Sequence, residues 1–399
     1  MAGWVYAIAT MDTKAEEVSF VAECLRSCGV NVKTVDVGTQ GPPTIEPEIN
    51  REEVLAGRKP LEGLDRGEAV TAMGEALCEF LGKRYAGGDV DGVIGIGGSG
   101  GTALITTAMR TLPIGTPKVM LSTVASGNTE PYVDCTDITM MYSVVDVAGL
   151  NVVSRAVLSN ASHAIAGMVQ HRREDEASKR CAGMTMFGVT TPCVTRVRQS
   201  LEADGWDGLT FHATGTGGRA MEGLVRSGMI TGVLDITTTE VADELLGGIF
   251  PGGPHRFEAS IECRVPLVLS VGAVDMVNFG AVETVPDRFR SRRLHVHNDQ
   301  VTLMRTTAEE NVEIARWIAA KLNQATAPLT VVLPEKGVST LDAPGQPFYD
   351  PNADAALFEA MERELDSGKG RRIVRVNHHI NDVEFADALV NEFNQLIES

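Results

Sequence analysis

Positive charge is scarce in this chain of 399 residues: 35 Lys and Arg stand against 53 Asp and Glu, a formal net charge of −18. Phosphate backbones attract Lys/Arg surfaces, so the balance argues against nucleic acid as a partner and leaves room only for a local basic pocket. Aromatic residues are few, at 5%. No apolar run approaches the ~18 residues of a membrane span. Met1-Ala2-Gly3-Trp4 lacks the basic start and apolar core of a signal peptide. The seven cysteines form no Cys-x-x-Cys pair, which fits free thiols and a cytoplasmic setting. His-Glu-x-x-His and related zinc spacings are missing, and Cys193 has no nucleophile motif around it. His378 and His379 are adjacent, so on a strand they point to opposite faces and do not share one ion.

What is present is an ordinary globular composition, 43% hydrophobic with 41 glycines. Val5 to Thr10 reads as a buried parallel strand. Thr13 and Glu16 have capping-box spacing, a helix runs to about Cys28, and Val30 to Val37 is the next strand. Residues 39–67 break this rhythm with Pro42, Pro43 and Pro47 and read as an insertion. A helix over about 68–86, a strand over Val90–Ile96 and a strand from Lys118 follow. The helical pattern of 150–180 turns charged at Arg172–Glu176, which marks a junction. A second α/β series then begins, with strands at 183–190, 208–214, 230–236 and 266–271. The expected fold is two Rossmann-like α/β domains, residues 1–180 and 181–399, with mostly parallel sheets facing a central cleft. The last strand and helix are free to join either domain. Pro334 to Pro351 is a loop long enough to suggest a role in function.

Two glycine runs carry the strongest chemical signal. Gly97, Gly98, Ser99, Gly100, Gly101 and Thr102 follow a strand and open a helix. Gly215, Thr216, Gly217, Gly218 and Arg219 do the same further on, which suggests two related domains. Consecutive glycines let a loop approach an anion, and the helix behind offers free N–H groups and a positive dipole end. Arg219 adds a guanidinium suited to phosphate or carboxylate, with Glu222 as its alternative structural partner. Thr10, Asp12, Thr13 and Lys14 lie at the carboxyl end of the first strand, where open α/β sheets bind ligands. Gly95-x-Gly97-x-x-Gly100 matches the dinucleotide spacing, yet the next strand ends without the ribose-binding acid. The Lys-Ser/Thr of a Walker loop is also missing.

Taken together, Ala9–Lys14, Gly95–Thr102, Ser122–Asn128, Phe211–Glu222, Val271–Gly280 and Leu333–Ser339 resemble a known bacterial and plant family. It is the uncharacterised family typified by the ATP-binding amino-terminal region of the tomato mosaic virus resistance protein. The resemblance spans essentially the whole chain. It implies a two-domain Rossmann-like fold, ATP binding with Mg²⁺, and a homodimer, and it supplies no reaction. On motif position, the Thr10–Lys14 turn, both glycine runs and Arg219 are the expected nucleotide site. Mg²⁺ needs oxygen ligands, for which Asp12, Glu240 and Asp275 are the candidates.

The function expected is therefore an ATP-dependent enzyme acting on a small carboxylate or sugar acid. A nucleotide-binding regulatory module without turnover is the alternative, and a nicotinamide-dependent enzyme a further one.

Overall fold

The structure is a computed structural model that describes residues 3–172, 179–368 and 370–398. The chain forms two compact units, Met1–Glu176 and Ala177–Ser399. Of the charged run read as a junction, residues 173–176 lie outside the described residues.

Unit 1 runs β1 (Trp4–Ala9), α1 (Ala15–Ser27), β2 (Val32–Asp36), α2 (Arg51–Leu55), α3 (Arg66–Ala86), β3 (Val90–Gly97), α4 (Ser99–Met109), β4 (Lys118–Ser122), α5 (Glu130–Val133), β5 (Thr139–Tyr142) and α6 (Val152–Gln170). Its five strands are all parallel, in the order β2-β1-β3-β4-β5. Alternate residues of β1 enter opposite cores. Val5, Ala7 and Ala9 pack under α1 and α6, while Tyr6 and Ile8 pack under α3 and α4. Burial on both faces explains why the strand reads as one unbroken apolar run.

Unit 2 runs β6 (Cys181–Met186), α7 (Thr191–Ala203), β7 (Asp207–His212), α8 (Thr216–Arg226), β8 (Ile230–Thr237), α9 (Thr239–Leu246), α10 (Glu258–Glu262) and β9 (Leu267–Gly272). It continues with β10 (Met276–Phe279), β11 (Leu294–Asn298), β12 (Val301–Arg305), α11 (Ala308–Leu322), β13 (Leu329–Pro334), α12 (Pro351–Glu364), β14 (Arg371–Val376) and α13 (Val383–Glu398). Six parallel strands lie in the order β14-β13-β9-β8-β6-β7, so β14 and α13 belong to unit 2. A small antiparallel sheet, β10-β12-β11, is inserted after β9. Counted within each unit, both main sheets share the order 2-1-3-4-5, with β14 as a sixth strand in the second.

This shared order corrects the expected pairing of the glycine runs. The first follows β3, the third strand of its unit. The second follows β7, the second strand, at the edge of its sheet. The counterpart of Gly97–Thr102 in unit 2 is Thr237–Glu240, at the end of β8.

A buried charge cluster holds unit 2 together at this point. Arg256, 2% exposed, forms a fork on Asp235 of β8 with Nη1–Oδ2 2.8 Å and Nη2–Oδ1 2.9 Å. Its Nε donates to Glu240 at 2.8 Å, and Nη1 also donates to Glu222 at 3.1 Å. Glu240 Oε1 accepts the backbone N–H groups of Gly215 (2.7 Å) and Gly218 (3.2 Å). Burial pushes the Glu240 carboxyl up, opposed by Arg256 and the Gly215 amide. All of these polar neighbours are donors, so the site is built for the carboxylate. The glycines here have internal reasons. Gly215 has φ +78, and a Cβ on it would stand 2.6 Å from the Pro251 carbonyl. A Cβ on Gly217 would run into the His212 carbonyl, and one on Gly218 into Glu240.

A second buried cluster lies around the turn after β9. Asp275 is fully buried; its Oδ2 accepts from Ser339 Oγ at 2.8 Å and its Oδ1 has no hydrogen-bond partner. Arg305 lies between Asp354, at 2.8 Å, and Asp342, at 3.7 Å. Burial raises the carboxyls of Asp275 and Asp354, against the attraction of Arg305. Burial also pushes Asp243 up to about 7.

Two outcomes follow from these clusters. Gly217→Ala is expected to lower stability by about 2–3 kcal/mol through overpacking, read as a shift in urea midpoint. Carboxyls with raised folded-state pKa values bind protons that the unfolded chain has released. Their contribution is full below the ordinary carboxylate pKa and is lost as pH rises through the raised one, about 7 for Asp243. The melting temperature is therefore expected to fall progressively from about pH 4 and to level off above about pH 8. Asp275→Asn, which keeps an acceptor for Ser339 and removes the ionisation, is expected to flatten that fall.

Candidate functional site

In a sheet of order 2-1-3-4-5, the chain winds outward in both directions from β1 and β3, and ligands bind beyond the carboxyl ends of the strands at that reversal. In unit 1 the reversal brings together the turn after β1, Thr10–Lys14, and the glycine run after β3. The Ser122–Asn128 segment after β4 is the next neighbour.

The glycine run divides into two kinds of residue. A Cβ on Gly97 would stand 2.8 Å from Gly101 C and Thr102 N, so Gly97 lets α4 start against β3. Thr102 is fully buried and bonds Ser122 Oγ at 2.6 Å, tying α4 to β4. Both serve packing. Gly98, Gly100 and Gly101 differ: none has positive φ, and a Cβ on any of them would meet nothing closer than 3.8 Å. Among the described residues no side chain caps α4, whose N-cap is Gly98. The first-turn N–H groups of Ser99, Gly100 and Gly101 have no acceptor one turn back in the helix. They form an open positive helix end at the reversal point.

The opposite wall is braced from behind. Asp36, fully buried at the end of β2, accepts Met11 N at 3.0 Å and Gly38 N at 2.8 Å, and takes Arg51 Nε at 2.8 Å. Asp36 and Arg51 escape the sequence reading, although an acid ending the second strand is a usable signal. Asp12 is half-buried, and its Oδ2 accepts Gln40 N at 3.1 Å and Gly41 N at 3.4 Å. Among the described residues no hydrogen bond engages its Oδ1. Lys14 donates to the Val147 carbonyl at 2.6 Å, and Glu17 one turn on accepts Gly149 N at 2.6 Å. These two contacts fasten segment 147–149 to the start of α1. Thr13 does not form the expected capping box. Its hydroxyl turns back to Thr10 O at 3.2 Å and Thr10 Oγ1 at 3.1 Å, and α1 starts behind Lys14 without a side-chain cap.

Other expected ligands are placed elsewhere. The amides of Gly215 and Gly218 are filled by Glu240, so the second cradle already contains an anion from the chain itself. Thr216 and Arg219 are exposed on the first turn of α8, and Glu222 holds Arg256. Glu240 as a magnesium ligand gives way to that capping role. Asp275 as a magnesium ligand gives way to full burial beside Ser339 and Arg305. Of the three carboxylates proposed for the metal, Asp12 alone lies at the reversal edge of unit 1. Among the described residues no cluster of three or more His, Cys, Asp or Glu side chains forms a metal site. His379 Nε2 bonds Ser339 O at 2.9 Å and serves the 334–351 loop.

Sequence reasoning also missed that Gly97-x-Ser99-x-Gly101 has the spacing of a nucleophile elbow. Ser99 lacks the positive φ of a strained elbow. The two histidines of unit 1, His163 and His171, are on α6 and its C-cap, so neither belongs to the turns after β1 and β3. Its hydroxyl is a candidate ligand contact only.

Comparison with known proteins agrees with this two-unit division. The N-terminal domain of an uncharacterised protein family, UPF0261, matches residues 3–174, and its C-terminal domain matches residues 179–397. A UPF0261 protein of Rhizobium meliloti is 53% identical over 397 residues, covering 98% of each chain. One from Clostridium tetani is 45% identical over 397 residues, again with 98% of each chain covered. The ToMV susceptible protein tm-1 of Solanum lycopersicum is 48% identical over 418 residues, covering 98% of this chain and 55% of the tomato protein. No helix among the described residues is long and apolar enough to cross a membrane. With both domain types present in order, the chain belongs to the UPF0261 family.

Proposed function

We propose that unit 1 binds ATP with Mg²⁺ at the carboxyl edge between β1 and β3, and that the chain is an ATP-dependent enzyme acting on a small carboxylate or sugar acid. The observation that carries this reading is the uncapped N-terminus of α4, with three glycines the fold does not itself require. Helix N-termini of this kind suit phosphate, through both N–H donors and dipole. The family resemblance supplies the nucleotide.

In this reading the amides of Ser99, Gly100 and Gly101 hold phosphate oxygens, and the Ser99 hydroxyl adds a donor. Lys14, fixed by Val147, supplies positive charge. Asp12 fits a hard cation, because Mg²⁺ is held by one or two carboxylates together with phosphates and water. The metal, when bound, neutralises phosphate charge. The second glycine run takes no part, since Glu240 fills it.

The nicotinamide alternative loses its one support. Its glycine spacing follows β3, whereas the dinucleotide fingerprint occupies the first βα turn. That turn here is Thr10–Lys14, which has no glycine.

The test is calorimetry of ATP with and without Mg²⁺ on wild type, Gly100→Ala and Asp12→Asn. Helical Cβ atoms tilt toward the N-terminus, so an alanine at position 100 stands where a phosphate would approach. Gly100→Ala is expected to weaken ATP binding about tenfold or more while leaving stability unchanged or raised by up to about 1 kcal/mol. Asp12→Asn is expected to remove most of the Mg²⁺ dependence. Absence of binding heat in wild type would sink the nucleotide reading. ADP release with a panel of carboxylates and sugar acids separates an enzyme from a module that binds without turnover.

A further inference from the structure

Residues 143–151 lead from the carboxyl end of β5 into α6 and are tied to both sides of the unit 1 site. At one end, Ser143 N donates to the Ser122 carbonyl at 3.1 Å, and Ser122 Oγ bonds Thr102 in the first turn of α4. At the other, the Val147 carbonyl accepts Lys14 Nζ at 2.6 Å, and Gly149 N donates to Glu17 at 2.6 Å. One strap therefore connects the start of α4 with the start of α1.

The strap is fixed along its length. Val144 has φ +67, a conformation that β-branched residues rarely adopt, although its side chain is 58% exposed. Val145 N closes this turn on Ser143 O at 2.7 Å, and Ser143 Oγ donates to Val145 O at 2.6 Å. Strained backbone persists where its surroundings over-determine it. Val147 is buried in the core beneath α1 and α6, and Ser154 Oγ of α6 donates to Gly149 O at 3.2 Å.

Glu17 is the costly member of the arrangement. It is 1% exposed, and among the described residues no Lys, Arg or His lies within 4.0 Å of its carboxylate. An apolar side chain would fill this face of α1 with less penalty than a buried acid. What the acid holds is the amide of Gly149, two residues past the carbonyl that takes Lys14. The partner of Lys14 is a neutral carbonyl, so its ammonium is ordered without its charge being cancelled. A lysine stem is long and flexible, and ordering it before a ligand arrives lowers the cost of binding. We propose that Glu17 is a positioning residue: through Gly149 it fixes the Val147 carbonyl, and that carbonyl orders the Lys14 ammonium for phosphate. The inference rests on the ATP reading of unit 1 and adds to it the residue that sets the cation.

The test is a double-mutant cycle on the full chain, with ATP and Mg²⁺ titrated calorimetrically against wild type, Glu17→Met, Lys14→Met and the double variant. Methionine fills the space of Glu17 without offering a carboxylate, and the exposed Gly149 can turn its amide to water. Glu17→Met is therefore expected to keep or raise the melting temperature while weakening ATP about tenfold. The same change on Lys14→Met should alter affinity less than about twofold. Glu17→Gln keeps an acceptor for Gly149 and should stay within about threefold of wild type. A second readout needs no nucleotide: acetylation of Lys14 by acetic anhydride, followed by peptide mass spectrometry. It should run severalfold faster in Glu17→Met and at the wild-type rate in Glu17→Gln. Wild-type ATP affinity in Glu17→Met would overturn the proposal, and so would unchanged acetylation of its Lys14. An equal loss on the Lys14→Met background would overturn it too, since that marks a general structural role. Absence of ATP binding to wild type would instead remove the nucleotide reading, and this inference with it.

Discussion

The reversal of winding in a parallel sheet is the constraint on which the site depends. Parallel strands need crossover connections, and right-handed crossovers send the chain to one face or the other according to the direction of travel. From β1 the chain moves to β2 at one edge, then returns past β1 to β3 and on to β5. The loops after β1 and β3 therefore leave toward opposite faces, and a gap opens between them. Buried apolar strands make this arrangement rigid. Each fully buried Val, Leu or Ile side chain contributes about 1.5–3 kcal/mol, and β1 buries residues in two cores at once. The turn carrying Asp12 and Lys14 thereby lies at the same sheet edge as a helix start carrying three amides.

The same local chemistry meets two different ends in the two units. Both α4 and α8 begin with a run of glycines and small hydroxyl residues, and both present a positive helix end. In α8 the charge is met by Glu240, which is in turn held by Arg256. Removing one member of such a buried ion cluster leaves the others uncompensated, at a cost of several kcal/mol, so the arrangement locks itself in place. In α4, among the described residues, no side chain takes that position. An unmet helix end beside open glycines is a local sacrifice of stability, and sites of that kind are where function is expected.

Much of the fold was legible in the sequence. Apolar runs of five to eight residues gave the buried strands, and the helices expected up to Cys28, over about 68–86 and over 150–180 correspond to α1, α3 and α6. The missed elements have physical reasons. β5 is a four-residue edge strand with exposed ends and no buried residue, and β10 to β12 form an antiparallel insert with short, partly polar strands. α12 follows a long Pro/Gly-rich loop that masks its start. The site was only half legible. Gly97–Thr102 and Gly215–Ala220 look alike because their own residues are alike. What separates them is Glu240, 25 positions beyond Gly215, and sequence gives no sign that an acid on the next helix turns back. Asp275 likewise shows as an acid near a strand end, and only its surroundings reveal that it faces a buried arginine.

Glu240 can be regarded as a ligand on a tether. Its carboxylate is held beside the amides of Gly215 and Gly218 by one helical turn and one salt bridge. An intramolecular group of this kind competes at an effective concentration of millimolar or far above, well beyond its nominal abundance. Free phosphate in the surroundings, however plentiful, meets an occupied seat. Two nearly identical glycine signatures in one chain can thus be a receptor and its own permanently satisfied counterpart, told apart by whether the competing anion is covalently attached.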